Sequence, residues 1–284
     1  MDISEKSFED IIFEDFINLN KYEKGNSEDF EPEFAIDTQK LTKFIKQTQP
    51  KIYEYFELDN KESPKRKKLL DRIQSQINQK GIKEVLINGV KEGAYHIELY
   101  YPLPSEQNQT AKEKYQKNIF SIIRQLKYSD KNNNSLDLVI FINGLPVITF
   151  ELKNRWTKQN VKDAIKQYKE DRNPREEIFK FGKCIVHFAV DDNEVYMTTH
   201  LQGKNTIFFP FNKGYKNGAG NPPNPNGIKT EYLWKEILTK ESLSNIIENY
   251  VNIFERKDPK TGKKKKIQIF PRYHQLDAVR KLKK

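Results

Sequence analysis

Ser135-Leu-Asp-Leu-Val-Ile-Phe-Ile-Asn-Gly-Leu-Pro-Val-Ile-Thr-Phe-Glu-Leu-Lys153 is the stretch whose reading decides the fold. Two apolar, β-branched and aromatic runs meet at Asn143-Gly144, the dipeptide that most often turns one strand back on the next. Such strands end up buried on at least one face. Yet three charged residues, Asp137, Glu151 and Lys153, sit at their outer ends. A carboxylate in a buried strand is costly unless something pairs with it, and a divalent cation is one such partner.

The chemistry gives each residue a part. Two carboxylates are hard oxygen ligands suited to Mg²⁺ (or Mn²⁺), which retains several waters and binds substrate phosphate as well. The main-chain carbonyl of Leu152, between the two acids in space, would complete the protein's share. Glu151 and Lys153 are two apart in a strand and so point to one side. Lys153 is then placed to orient a water and to stabilise a five-coordinate phosphate. Acid, acid and lysine in this arrangement point to metal-dependent phosphodiester cleavage.

Parity constrains the pairing. A regular two-residue turn sets Ile142 against Leu145 and Glu151 against Leu136, which puts Asp137 on the opposite face and forbids a shared metal. A three-residue loop, Ile142 to Gly144, sets Asp137 across from Thr149. It returns Asp137 to the face of Glu151, roughly 7–8 Å away diagonally. An odd loop or a bulge is therefore expected.

Lys and Arg number 50 against 40 Asp and Glu, giving a net charge of +10 and a pI near 9.3. That is the footprint of a phosphate-backbone binder or simply of a solvated lysine-rich surface. One cysteine, Cys184, excludes an internal disulfide and suits a reducing cytoplasm. No apolar run approaches the roughly 18 residues of a membrane span, and no signal peptide opens the chain. The four histidines lack metal-ligand spacing and read as structural.

Along the chain, Ser4 is the expected N-cap of a first helix carrying Phe8, Ile11, Ile12 and Phe16. Leu41 to Phe56 and Lys65 to Gln79, opened by Pro64, read as helices. Val85 to Tyr101 reads as two strands turning at Lys91-Glu-Gly93, and Phe120 to Tyr128 as another. Val161, Ala164, Ile165 and Tyr168 mark the buried stripe of a helix ending before Pro174. Cys184 to Val190 is a strand with Glu194 to Thr199 as partner. A Gly/Asn/Pro loop spans residues 213–230. Tyr232 to Leu238 and Leu243 to Tyr250 follow as helices, and the basic run Arg256 to Lys266 as a solvated hairpin tip or linker. The pattern is α/β (α+β), with a mixed central sheet flanked by helices. Its expected division is a nuclease domain over 1–200, an extension packed on it over 201–257, and from 258 to 284 a linker and the start of a further domain.

Asp137…Glu151-Leu-Lys153 matches the D…(D/E)xK core of restriction-endonuclease-like nucleases. Its surroundings resemble the R (restriction and motor) subunit of type I restriction-modification enzymes. The likeness runs through Asp163-Ala-Ile-Lys-Gln-Tyr168, His187-Phe-Ala-Val-Asp191, Val195-Tyr-Met-Thr-Thr199, Gly218-Ala-Gly-Asn-Pro222, Tyr232-Leu-Trp234 and Phe270-Pro-Arg-Tyr-His-Gln-Leu-Asp-Ala-Val-Arg280. The resemblance implies Asp137 and Glu151 as metal ligands and Lys153 as the catalytic lysine. It implies a glutamate of the first helix near the metal, for which Glu9 is the best match ahead of Glu5 and Glu14. Relatives carry Q-x-x-x-Y on the helix after the lysine; here Tyr168 matches, but Ala164 stands where the glutamine would be, so Gln167 is left to take the polar role.

Tyr273-His-Gln275 resembles the adenine-reading motif of helicase motors, with Gln275 on the base and the aromatic stacked on it. No phosphate loop follows, so ATP is expected to serve only a full-length motor. The implied function is a Mg²⁺-dependent DNA endonuclease, cutting double-stranded DNA after motor-driven translocation, with separate modification and specificity subunits. The alternatives are a stand-alone repair or recombination nuclease of the same fold and a non-catalytic DNA-binding module.

Overall fold

A buried strand hairpin needs cover on both faces, and the rest of the chain supplies it. The computed structural model describes residues 5–105, 107–154, 158–257, 262 and 264–282; the expected cap at Ser4 lies outside them. Helix α1 (Glu5–Asn18) buries Phe8, Ile12, Phe13 and Phe16. Short strands β1 (Glu23–Lys24), β2 (Phe30–Glu31) and β3 (Ile36–Asp37) lead into α2 (Thr38–Thr48) and α3 (Pro50–Tyr55). The expected single helix from Leu41 to Phe56 is thus two, broken at Gln49 ahead of Pro50, because the residue before a proline is pushed out of the helical region. Helix α4 (Pro64–Lys80) begins with Pro64 at its first turn under a Ser63 cap and stops at Gly81, φ +86°.

One expectation fails next. Val85 to Asn88 is not strand but the end of α5 (Ile82–Asn88), which buries Ile82, Val85 and Leu86 at helical spacing and is bounded by Gly81 and Gly89. Burial of that stripe outweighs the weak helix propensity of Val and Ile. The strands β4 (Val90–Glu92) and β5 (Tyr95–Ile97) are correspondingly short. Helix α6 (Gln109–Tyr115) precedes the central strands β6 (Phe120–Lys127), β7 (Ser135–Ile142) and β8 (Leu145–Leu152).

Helix α7 (Val161–Glu170) opens with a reciprocal cap, in which Asn160 accepts from Lys162 N and Asp163 accepts from Asn160 N. It carries the chain to β9 (Val186–Val190), parallel to β8 as a crossover requires. Strands β10 (Val195–Thr198) and β11 (Phe209–Pro210) complete a seven-stranded mixed sheet ordered β1-β6-β7-β8-β9-β10-β11. A π-helical turn (Leu233–Ile237) and α8 (Lys240–Asn249) follow. The hairpin β12 (Asn252–Lys257) and β13 (Lys264–Ile269) and helix α9 (Tyr273–Leu282) come last. The sheet separates two apolar layers. One takes α1, α2, α4, α5 and α8 onto Leu138, Ile140, Ile148 and Phe150, and the other takes α7 onto Val139, Phe141 and Ala189.

Register settles the parity question. Asn143 (φ +51°) and Gly144 (φ +82°) form a two-residue turn with Ile142 opposite Leu145, so the three-residue loop is not formed. The hairpin is nonetheless irregular: Phe141 faces Pro146 but Ile140 faces Ile148, leaving Val147 as an extra residue. Pro146, which has no N–H for the ladder, stands at this bulge. Beyond it Val139 pairs with Thr149 and Leu138 with Phe150. Continuing that register sets Asp137 across from Glu151 itself rather than across from Thr149.

Candidate active site

The bulge brings Asp137, Thr149 and Glu151 to the face covered by α7. Glu151 is fully buried, and Asp137 keeps some exposure. The main chain of Leu152 stands between them, its N–H donating to Asp137 Oδ2 at 2.7 Å. Glu151 Oε1 accepts from Arg172 Nε at 2.6 Å, while Arg172 Nη2 donates to Ser135 O at 2.8 Å. Glu151 Oε2 is buried without a hydrogen-bond partner.

Electrostatics follow from this geometry. Burial pushes the Glu151 carboxyl up to about 8, and the Asp137 charge adds to the rise against the pull of Arg172 and Lys153. Burial likewise raises Asp137, against the Leu152 N–H and Lys153. Lys153 follows β8 directly, half-buried, with its N–H on Val190 O at 2.8 Å. Two carboxyl groups whose charge burial penalises, one with an unshared buried oxygen, are what a cation between them would relieve. The donor set therefore fits a hard divalent cation completed by water and phosphate. Among the described residues no group of three His, Cys, Asp or Glu could hold a metal, so such an ion would rest on two carboxylates and main chain.

Of the auxiliary residues, Glu9 joins this cluster. It is nearly buried, accepts from Arg124 Nε at 3.1 Å and Gln125 Nε2 at 2.7 Å, and has its pKa raised by burial with Asp137 adding. Glu14 is exposed and pairs with Asn18. Tyr168 is fully buried, and its hydroxyl reaches Thr149 Oγ1 at 2.8 Å rather than a carboxylate. Thr149 also bonds His187 Nδ1 at 2.7 Å, and burial holds that imidazole down to about 3 and hence neutral. Gln167, on the flank of α7, is half-buried and has no side-chain bond to the carboxylates among the described residues.

Tyr273 and Gln275 lie elsewhere, on α9. Tyr273 packs edge-on to Tyr232, ring centroids 5.2 Å apart, and Gln275 Oε1 caps Arg272 N at 2.9 Å. The basic hairpin β12–β13 is tied by Gln268 to Cys184 O and Ile185 O, at the end of β9 remote from Glu151.

Arg172 and Gln125 are the contributors that sequence reading passed over. Arg172 is an isolated arginine in Asp171-Arg-Asn-Pro174, and nothing in its spacing ties it to Glu151. Gln125 reads as an ordinary polar residue of an edge-ward strand.

A mixed sheet with an acid, an acid and a lysine converging at the ends of its central hairpin is a restriction-endonuclease-like fold. Residues 2–206 match the family described as Type I restriction enzyme R protein N terminus, and the chain belongs to that family. It is 31% identical over 169 residues to the endonuclease subunit of the type I restriction enzyme MjaVIIIP of Methanocaldococcus jannaschii, covering 58% of this chain and 15% of that protein. It is 28% identical over 100 residues to the endonuclease subunit of the Escherichia coli type I enzyme EcoprrI, covering 34% of this chain and 31% of that protein. The aligned stretches thus span under a third of either relative. Among the described residues no helix is long and apolar enough to cross a membrane.

Proposed function

We propose that this chain is the DNA-cleaving part of a type I restriction enzyme R subunit, with Asp137 and Glu151 as ligands of Mg²⁺ and Lys153 as the catalytic lysine. The observation that carries the reading is the β7–β8 register, which continues from Leu138–Phe150 to set Asp137 across from Glu151, whose second carboxyl oxygen is buried without a hydrogen-bond partner. A divalent cation bound there supplies a Lewis acid for the phosphate and a more acidic water.

The chain's own residues do the rest. Asp137 is fixed by the Leu152 N–H, and Arg172 holds one oxygen of Glu151 while the other is left without a hydrogen bond. Lys153, on the strand side shared with Glu151, orients the attacking water and offsets charge on the phosphate. Double-stranded DNA is the substrate and is gripped by its phosphates, so affinity falls steeply with salt. Sequence reading belongs to specificity and modification subunits, and cleavage follows ATP-driven translocation by the rest of the R subunit, where Gln275 and Tyr273 would meet adenine.

The test is calorimetry with Mn²⁺ on wild type and Glu151→Ala, together with plasmid cleavage by the assembled enzyme carrying Lys153→Ala. Expected results are a carboxylate-dependent Mn²⁺ site, and lost cleavage with ATPase retained. Equal Mn²⁺ binding by both proteins would leave a non-catalytic DNA-binding module as the better reading.

A further inference from the structure

Gln125 sits in the middle of β6 with a left-handed backbone, φ +48°, alone in this among strand residues other than glycine that the structure describes. It falls opposite Asp137, between the pairs Arg124–Leu138 and Leu126–Leu136. An L-residue in this conformation is strained and persists only where its surroundings hold it, commonly at sites of function.

What the strained backbone achieves is visible in the side chain. Gln125 Nε2 donates to Glu9 Oε2 at 2.7 Å and lies 3.4 Å from Asp137 Oδ1, while Oε1 accepts from Ser135 Oγ at 2.7 Å. An amide nitrogen has two hydrogens, one for each carboxylate. The second oxygen of Glu9 is held by Arg124, whose Nη1 reaches Asp10 Oδ1 at 2.7 Å. A single amide therefore couples α1 to β7 and keeps two carboxylates, which repel each other, turned toward one point.

We propose that Gln125 is a positioning residue for the cleavage site: its amide, anchored on Glu9, holds Asp137 in the orientation in which a divalent cation can be gathered between Asp137 and Glu151. This rests on the reading of the site as a metal-dependent nuclease. Partners that orient metal-binding carboxylates typically change metal affinity about 10–100-fold when removed.

The decisive measurement pairs Mn²⁺ calorimetry with thermal melting on wild type, Gln125→Gly and Gln125→Met. Glycine adopts φ +48° without strain, so Gln125→Gly keeps the course of the strand and its melting temperature, or raises it, while removing the amide. Mn²⁺ affinity is expected to fall about 10–100-fold in both variants. A purely structural glutamine gives the reverse, lower stability with affinity kept, and retained affinity in Gln125→Gly overturns the proposal. Should Gln125→Gly lose its melting transition, Gln125→Met decides alone, because it keeps the chain length without the amide. If wild type itself shows no Glu151-dependent Mn²⁺ binding, the nuclease reading falls and this role with it. If wild type binds and the variants bind equally, only the positioning role falls.

Discussion

The two ends of the β7–β8 hairpin obey opposite rules. At the turn, the buried side chain of Asn143 is saturated: its oxygen accepts from Ile119 N at 2.6 Å, and its nitrogen donates to Leu99 O at 2.9 Å and Asn118 Oδ1 at 3.0 Å. Gly144 receives the main chain of Asp37, whose N–H reaches Gly144 O at 2.9 Å. At the other end, Glu151 keeps an unpartnered buried oxygen, Asp137 lies near two other acids, and the opposing residue Gln125 is strained. A chain selected for stability alone would build both ends like the turn. On the proposed reading, the carboxylate end gives up stability for groups left ready to bind a cation.

Gly144→Val breaks the turn end most severely. A Cβ on Gly144 would stand 2.3 Å from Asp37 O and 2.6 Å from Leu41 N, both main-chain atoms, and φ is +82°. Neither main-chain atom can move aside, so the loss should exceed about 4 kcal/mol in urea unfolding, among the largest single-residue effects. A loss under about 1 kcal/mol would mean that the turn is not the rigid end.

Arg172→Ala comes next. It strands a fully buried Glu151, and breaking a buried pair costs about 3 kcal/mol, part of which the carboxyl recovers by taking up a proton. In a Glu151→Gln background no charge is stranded, so the same substitution should cost much less. Equal losses in the two backgrounds would show that Arg172 acts through Ser135 and packing, not through the carboxylate.

How much of this contrast could be read from the sequence follows from the range of the interactions. The two strands, their charged ends and helix α7 were legible, because the apolar runs, Asn143-Gly144 and the stripe of Val161, Ala164, Ile165 and Tyr168 are local signals. The register was legible only as a requirement for some irregularity. Parity demanded it, but Pro146 as the residue that places it was not picked out. Arg172 stands 21 residues from Glu151 and α7 lies between, so only the folded chain joins them. The left-handed backbone of Gln125 has no sequence signature, since glutamine is not a residue that favours it. Helix α5 was missed because Val85-Leu-Ile87 favours strand locally, while its helical stripe is decided by burial.

Asp37 is the exception that sharpens the comparison, a buried acid at the turn end. Its Oδ1 caps Lys40 N at 3.0 Å, its Oδ2 has no partner, and burial raises its pKa to about 7. A folded-state pKa above the ordinary value of 3.8 means that the native state binds the proton more tightly. Its contribution is therefore fully present below about pH 4 and is lost as pH rises through 7. Lowering the pH from 7 to 5 should raise stability by about 2 kcal/mol through this group. Glu151 contributes a slope of the same sign, so Asp37's share is the difference between wild type and Asp37→Asn in urea titrations across that range. Identical slopes would mean that Asp37 is not protonated on folding.

Tyr168→Phe probes the carboxylate end with the smallest expected effect and tells support from chemistry. Resemblance to the family implied a role for this tyrosine at the site, yet its hydroxyl bonds Thr149, two residues before Glu151 on β8, and Thr149 in turn bonds a neutral His187. Removing the hydroxyl deprives Thr149 of one of two partners and leaves every carboxylate contact in place. The cost should be about 1 kcal/mol of stability, with Mn²⁺ affinity within about twofold of wild type, a shift of under half a kcal/mol. If affinity fell tenfold while stability held, Tyr168 would belong among the groups that shape the site. The layer beneath Glu151 would then have to be counted with the unsatisfied end of the hairpin rather than with its rigid scaffold.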